Sequence, residues 1–271
     1  MRWRALLLAL LLATPTAAET LDRADGKTTE IKIWEGEKCG PLAILSHGLG
    51  GDTRTLSRIA LMLNSDGYRV ITMGHAESGR AALRQVWQAA DRRAALLRAA
   101  GNPASYRARH LDLDATLAFA TKDCRPSFMV LLGHSMGAQT TIMEAGAVPV
   151  FGWKGRNRFD AYVALSPQGV GSRFHQGAWR AVNKPVLMVT GTKDKGVDGG
   201  YETRLSAFEG LPRGQNRLAI VKGGTHMHMG GFGAGSKART VRAIIQAYLR
   251  DLRGGALPKP ADLRGVTYRQ K

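Results

Sequence analysis

The segment Val130-Leu131-Leu132-Gly133-His134-Ser135-Met136-Gly137 most narrows what this chain can fold into. An apolar run suited to a buried strand enters a Gly-x-Ser-x-Gly turn, and residues of helical character follow from Ala138 to Ala145. A chain with 33 glycines can produce the five-residue pattern by chance, so its meaning comes from the strand-turn-helix context. A serine on so sharp a turn takes a strained backbone conformation and presents its hydroxyl outward. The residues two before and two after it must be nearly free of side chain for the turn to close. Gly133 and Gly137 meet that demand, which makes Ser135 the candidate nucleophile.

The rest of the chain alternates apolar, β-branched runs with helical patterns. The strand candidates are Thr29–Trp34, Leu42–Ser46, Tyr68–Met73, Phe128–Leu132, Ala161–Leu165, Val186–Thr190 and Arg217–Val221. Between them Leu83, Val86, Trp87, Ala90, Ala94 and Leu97 recur at helical spacing, as do Leu113, Leu117 and Ala120. Val241, Ile244, Ile245, Tyr248, Leu249 and Leu252 form the clearest apolar stripe. Alternation of this kind predicts an α/β domain with a mostly parallel central sheet and helices on both faces. Ligands then bind at the carboxyl ends of the strands, so catalytic residues are expected just after strand candidates.

Arg2 and Arg4, the apolar run Ala5 to Ala13 and the small residues Thr16-Ala17-Ala18 have the order of a cleaved export signal. The apolar run is too short for a permanent bilayer span. The expected organisation is therefore a signal peptide over 1–18, one domain over 19–253 and a basic, extended tail over 254–271. A periplasmic or secreted destination follows. The formal net charge of +18 is mostly dispersed arginine, dense between Arg80 and Arg109. It suits weak attraction to anionic surfaces or an ordinary solvated exterior. No Lys/Arg stripe interleaved with aromatics appears, so nucleic acid is not the expected partner.

A serine hydroxyl needs a base, usually histidine, and the histidine needs an anion to fix its tautomer. The glycine-rich segment Gly223-Gly224-Thr225-His226-Met227-His228-Met229 follows the last strand candidate and offers two histidines. Asp194 follows the strand Val186–Thr190 in a Gly-x-x-Asp segment, and Asp198 lies four residues beyond. Ser135, Asp194 and His226 stand in the chain order Ser…Asp…His. A surface His-x-His can also bind a metal adventitiously, but two histidines without a nearby Cys or carboxylate cluster make no convincing site.

Over about residues 29–253 these features resemble the α/β-hydrolases. Within them the chain is similar to small secreted serine esterases related to dienelactone hydrolase, chlorophyllase and bacterial polyester hydrolases. The resemblance implies His226 as the base in preference to His228, and Asp194 as the acid in preference to Asp198. It implies an oxyanion hole built from the N–H groups of Met136 and of Leu49, in the turn His47-Gly48-Leu49-Gly50-Gly51. His47 would then be structural. Polyester hydrolases commonly carry an aromatic residue where Leu49 stands and a tryptophan where Gln168 stands. Dienelactone hydrolase uses a cysteine nucleophile. Neither substrate is carried over.

The short stretch between Pro167 and Lys184 leaves no room for a large cap. An open cleft is expected, rimmed by Leu49, Met136, Gln168, Met227 and Trp179. The resulting expectation is an exported, monomeric serine hydrolase that cleaves short- to medium-chain carboxylic esters of small molecules through an acyl-enzyme. It needs neither cofactor nor metal. The triad alone leaves open an acyltransferase or a small-peptide hydrolase, and a non-catalytic binding protein on the same scaffold is the remaining alternative. Cys39 and Cys124 are the only cysteines, and an exported chain meets oxidising conditions, so a disulfide between them is expected. By the resemblance, each cysteine precedes one of two neighbouring parallel strands.

Overall fold

The computed structural model describes residues 18–197 and 199–271. The proposed signal peptide falls on residues outside these, save Ala18, and so does Asp198. The strands are β1 (Glu19–Asp22), β2 (Thr28–Trp34), β3 (Leu42–Ser46), β4 (Arg69–Met73), β5 (Met129–His134), β6 (Ala161–Leu165), β7 (Val186–Lys193), β8 (Arg217–Thr225) and β9 (Val266–Gln270). The helices are α1 (Ser57–Ser65), α2 (Arg80–Gln88), α3 (Arg92–Gly101), α4 (Pro103–Ala120), α5 (Met136–Glu144), α6 (Glu202–Gly210), α7 (His226–Met229) and α8 (Ser236–Arg253).

All nine strands join one sheet in the order β1-β2-β4-β3-β5-β6-β7-β8-β9. The central strands β4, β3, β5, β6, β7 and β8 run parallel, while β1, β2 and β9 pair antiparallel at the margins. The central parallel strands are buried on both faces over most of their length, which explains their nearly continuous apolar runs. Alternate residues of one strand serve opposite layers: Ile44 packs with α4 and α5 residues such as Leu113 and Ile142, whereas Ala43 and Leu45 pack with Ile59, Leu63 and the α8 stripe. Burying Val241, Ile244, Ile245 and Leu249 stabilises the fold by about 1.5–3 kcal/mol each relative to exposure. This is the α/β-hydrolase architecture that the sequence implied.

Each strand candidate is a strand, with ends shifted by a few residues. Two expectations need correction. Residues 254–271 are not simply a tail: Val266–Gln270 pair with β8 from Arg217 to Val221 as an edge strand. The pattern from Leu83 to Leu97 is two helices rather than one. The chain breaks at Ala89-Ala90-Asp91, and Asp91 caps α3 by accepting from the Ala94 N–H at 2.9 Å. Trp87 consequently points outward and is 56% exposed.

The Cys39–Cys124 disulfide is present, with Cα atoms 5.7 Å apart. It joins the segments that enter β3 and β5, which are parallel neighbours from Leu42↔Met129 to Ser46↔Gly133. The bridge thus holds the amino ends of the two strands whose carboxyl ends carry the oxyanion turn and Ser135.

Candidate active site

Ser135 lies between β5 and α5 at φ 56° and ψ −117°, a conformation that an L-residue adopts only under constraint. Its N–H donates to the Leu165 carbonyl of β6 at 2.9 Å, and its carbonyl accepts from the Gln139 N–H at 3.1 Å. The glycines are required sterically. A Cβ on Gly133 would lie 2.0 Å from the Gly137 carbonyl oxygen, and one on Gly137 would lie 2.0 Å from the Ser46 carbonyl oxygen. Helix and strand can approach this closely only without those side chains.

The Ser135 hydroxyl is 3.0 Å from His226 Nε2, and His226 Nδ1 is 2.8 Å from Asp194 Oδ1. With Nδ1–H donating to the carboxylate, Nε2 is left as the acceptor for the serine proton. Asp194 is fully buried and well satisfied. Its Oδ2 accepts from Ser166 Oγ at 2.6 Å, Thr190 Oγ1 at 2.9 Å and Arg204 Nε at 3.0 Å, and Arg204 Nη2 reaches Oδ1 at 3.3 Å. Burial alone would raise its pKa. The hydrogen bonds from His226, Arg204 and Ser166 outweigh burial and hold the carboxyl well below the usual range.

The two histidines of the loop have different placements. His228 closes a capping box: Thr225 N–H and Thr225 Oγ1 both approach His228 Nδ1, at 3.2 and 2.9 Å. It fixes the start of α7, the helix whose first residue is His226. His134, which precedes the serine, donates Nε2–H to the His226 carbonyl at 2.9 Å and lies 4.8 Å from its ring. Burial, then the neighbouring His226, push the His134 pKa down to about 3, so it remains a neutral strut.

A second Ser–His–Asp chain exists. Ser46 Oγ is 2.9 Å from His75 Nε2, and His75 Nδ1 is 2.7 Å from Asp112 Oδ2. Ser46, His75 and Asp112 are 0%, 2% and 1% exposed, so this chain has no access to substrate. Arg109, also fully buried, donates to Ser46 Oγ at 3.2 Å, to Ser78 Oγ at 2.9 Å and to the His47 carbonyl at 2.7 Å. The Ser78 carbonyl in turn accepts from the Gly50 N–H at 2.8 Å. The network braces the turn 47–51 from behind. His47 belongs to this brace: it is buried, and its Nδ1–H donates to the Gly48 carbonyl at 2.6 Å.

Ser135 and His226 open onto a cleft of about 630 Å³, whose lining includes Leu49, Met136, Gln168, Met227 and Phe232. Met136 begins α5, so its N–H has no intrahelical acceptor. The Leu49 N–H makes no hydrogen bond among the described residues. Both are free to meet an oxyanion. Gln168 is 7% exposed, and its Oε1 has no partner among the described residues. Met227 is 55% exposed at the rim. Leu83, Leu96 and Ala100 of α2 and α3, a small helical hairpin, also line the cleft.

Trp179 is a correction. It is fully buried, its ring tilted against that of Phe174 with centroids 5.1 Å apart and pressed under Gly210 of α6, so it is core and not rim. Arg204, Ser166, Thr190 and the Arg109 brace escaped sequence reading. In a chain this rich in arginine, nothing local distinguishes a buried guanidinium from a solvated one. Among the described residues no group of three or more His, Cys, Asp or Glu side chains is placed to hold a metal ion.

No protein-family model matches the sequence, and no curated protein sequence matches it. Solved structures do match. The chain is similar to dienelactone hydrolase from Anabaena variabilis, with a TM-score of 0.63 at 14% identity over 87% of this chain and 97% of that one. It is similar to Est1E from Butyrivibrio proteoclasticus, with a TM-score of 0.59 at 16% identity over 88% and 99%. XC6422 from Xanthomonas campestris, described as an α/β serine hydrolase without a lid, gives 0.58 at 20% identity over 90% and 96%. Identities this low establish the α/β-hydrolase fold and nothing narrower.

Proposed function

We propose that the chain is an exported serine hydrolase that cleaves carboxylic esters of small molecules, with short to medium acyl chains, as a monomer and without a cofactor. The observation that carries this reading is the open Ser135–His226–Asp194 chain at 3.0 and 2.8 Å, with Ser135 on a strained turn at the cleft. His226 removes the proton as Ser135 Oγ attacks the carbonyl, and returns it to the departing alcohol. Asp194 holds the imidazole in the required tautomer. The Leu49 and Met136 N–H groups receive the oxyanion, each worth roughly 3 kcal/mol of barrier when buried. Water then releases the acid and frees Ser135.

The binding of ferulic acid by Est1E, at 15% identity, supports a small-molecule ester as substrate. The same triad can pass the acyl group to an alcohol or cleave a small peptide, and the products separate these cases. The test is fluorophosphonate labelling of Ser135, followed by turnover of p-nitrophenyl esters from acetate to palmitate together with an amide. Labelling with hydrolysis of the short esters is expected. An unlabelled serine, or no turnover of any ester, overturns the reading.

A further inference from the structure

The cleft does not end at Phe232. Beyond it lies a shallow basin of about 320 Å³ that shares Thr55 and Phe232 with the cleft lining and is walled by Arg54, Arg58, Arg80 and Asp52. Asp52 is already engaged, at 3.3 Å from Arg54 and 2.6 Å from Arg80. Two more arginines are tied to the loop that floors the basin: Arg242 donates to the Gly231 carbonyl at 3.1 Å, and Arg239 donates to the Ala234 carbonyl. Among the described residues no carboxylate lies within 4.0 Å of Arg58, Arg239 or Arg242. Partial burial first, then the charges of Arg58 and Arg239, lower the Arg242 pKa.

What sets the basin apart is its place beside the cleft, with which it shares Thr55 and Phe232. At two other places arginines are paired with acids one for one. Arg156 and Arg158 share Asp114, with Glu144 beside them, and Arg269 has Glu209. At the basin three guanidinium groups, Arg54, Arg58 and Arg80, line one wall against the single carboxylate of Asp52, and the charges of Arg58 and Arg239 act on Arg242 beside it. Like charges held together repel, and an anion that enters between them relieves the repulsion. The basin also lies on the side of the base: the His134 ring is 4.8 Å from that of His226 and 5.8 Å from that of Phe232. His226 protonates the leaving alcohol, so the alcohol half of an ester extends toward Phe232.

We propose that the basin binds a carboxylate or phosphate on the alcohol half of the substrate, so that the preferred esters are anionic. This rests on the ester-hydrolase reading of the cleft. The experiment compares kcat/KM for 4-carboxyphenyl butyrate with that for its neutral counterpart 4-carbamoylphenyl butyrate, and adds 4-(phosphonooxy)phenyl butyrate as a third arm. A preference for the anionic esters of about tenfold at low salt is expected, weakening in 0.5 M NaCl at a Debye length of about 4–5 Å. In Arg58→Gln/Arg239→Gln the ratio should fall to within about twofold of unity. In Arg156→Gln/Arg269→Gln, which removes the same charge elsewhere, it should not change. Whichever anion gives the larger ratio identifies the ligand. Turnover of all three esters without preference, or an equal fall in both double variants, overturns the basin's role and leaves the hydrolase reading intact. If no ester turns over, both fail. Loss of binding to phosphatidylglycerol vesicles in Arg58→Gln/Arg239→Gln, with an ester ratio near unity, would make the patch a surface-docking site and overturn the proposal.

Discussion

At the scale of single residues, the site divides into groups that react and groups that hold them. Ser135 and His226 form one proton-transfer unit, so their losses should not add. Ser135→Ala and His226→Ala are each expected to lower kcat on an activated ester by about 10⁴-fold, with the double variant scarcely worse. Asp194→Asn should cost less than either, and His228→Ala, which removes only a cap, less still. Stopped-flow or steady-state rates on one ester check the order, and a His228→Ala loss equal to that of His226→Ala would contradict it. Arg204 acts on stability. It is 1% exposed and donates to both oxygens of Asp194, so Arg204→Met removes the cation paired with a buried carboxylate and leaves it only the neutral donors Ser166, Thr190 and His226. A loss of about 3–5 kcal/mol in urea unfolding is expected. Arg204→Met/Asp194→Asn should be less destabilised than Arg204→Met, because the buried charge without a counter-cation is gone.

At the scale of elements, the site depends on two parallel strands, β3 and β5, delivering their turns in register. Gly137→Ala would drive a methyl group to 2.0 Å from the Ser46 carbonyl oxygen, forcing α5 away from β3. Loss of esterase activity together with a clearly lower Tm is expected; an active variant of unchanged Tm would refute the steric argument. The disulfide acts at the opposite end of the same strands. It closes a loop of 85 residues, worth up to ~4.6 kcal/mol in the chain-entropy model. Reduction, or Cys39→Ser/Cys124→Ser, should therefore lower Tm, and the unreduced protein should show no alkylatable thiol. The helical hairpin of α2 and α3 shows how periodicity misleads at this scale. Leu83 and Leu97 share an apolar pattern, but the break capped by Asp91 turns Leu83 to the cleft and leaves Leu97 36% exposed.

At the scale of the whole molecule, buried histidines govern the response to acid. Burial holds His47 and His75 well below their ordinary pKa, and His110 and His134 at about 3. They stay neutral in the fold, whereas in the unfolded chain they take up protons below about pH 6.5. The unfolded state then binds more protons, so stability falls as pH drops from about 6.5 toward 3. Asp194, with its depressed pKa, adds to the loss below about pH 4. Asp112, pushed up to about 7 by burial, acts in the opposite direction between about pH 7 and 4 and offsets one histidine. The histidines outnumber the single opposing carboxyl, so the net effect of acidification is loss of stability. Tm should fall sharply between pH 6.5 and 4.5, and a flat profile over that range would be inconsistent with neutral buried histidines. Edge strand β9 also belongs to this scale, since Val266 and Tyr268 pack against the α8-side core and cover the open edge of β8.

The order of the chemistry along the chain is legible locally: an apolar strand, a glycine-flanked serine, then an aspartate and a histidine, each just past a strand. Those signals are local, because a strained turn and a buried parallel strand impose their residue types on consecutive positions. Which of two histidines faces the serine was open in the sequence, and the structure separates them because the Thr225–His228 cap turns one ring away. The rest was decided by packing. Arg109 and Arg204 read like any surface arginine until distant segments close over them, and Trp179 reads like a rim residue until α6 covers it. The two Ser–His–Asp chains differ by nothing that composition records. Only the tertiary structure leaves Ser135 open to the cleft and seals Ser46 beneath the turn that it braces.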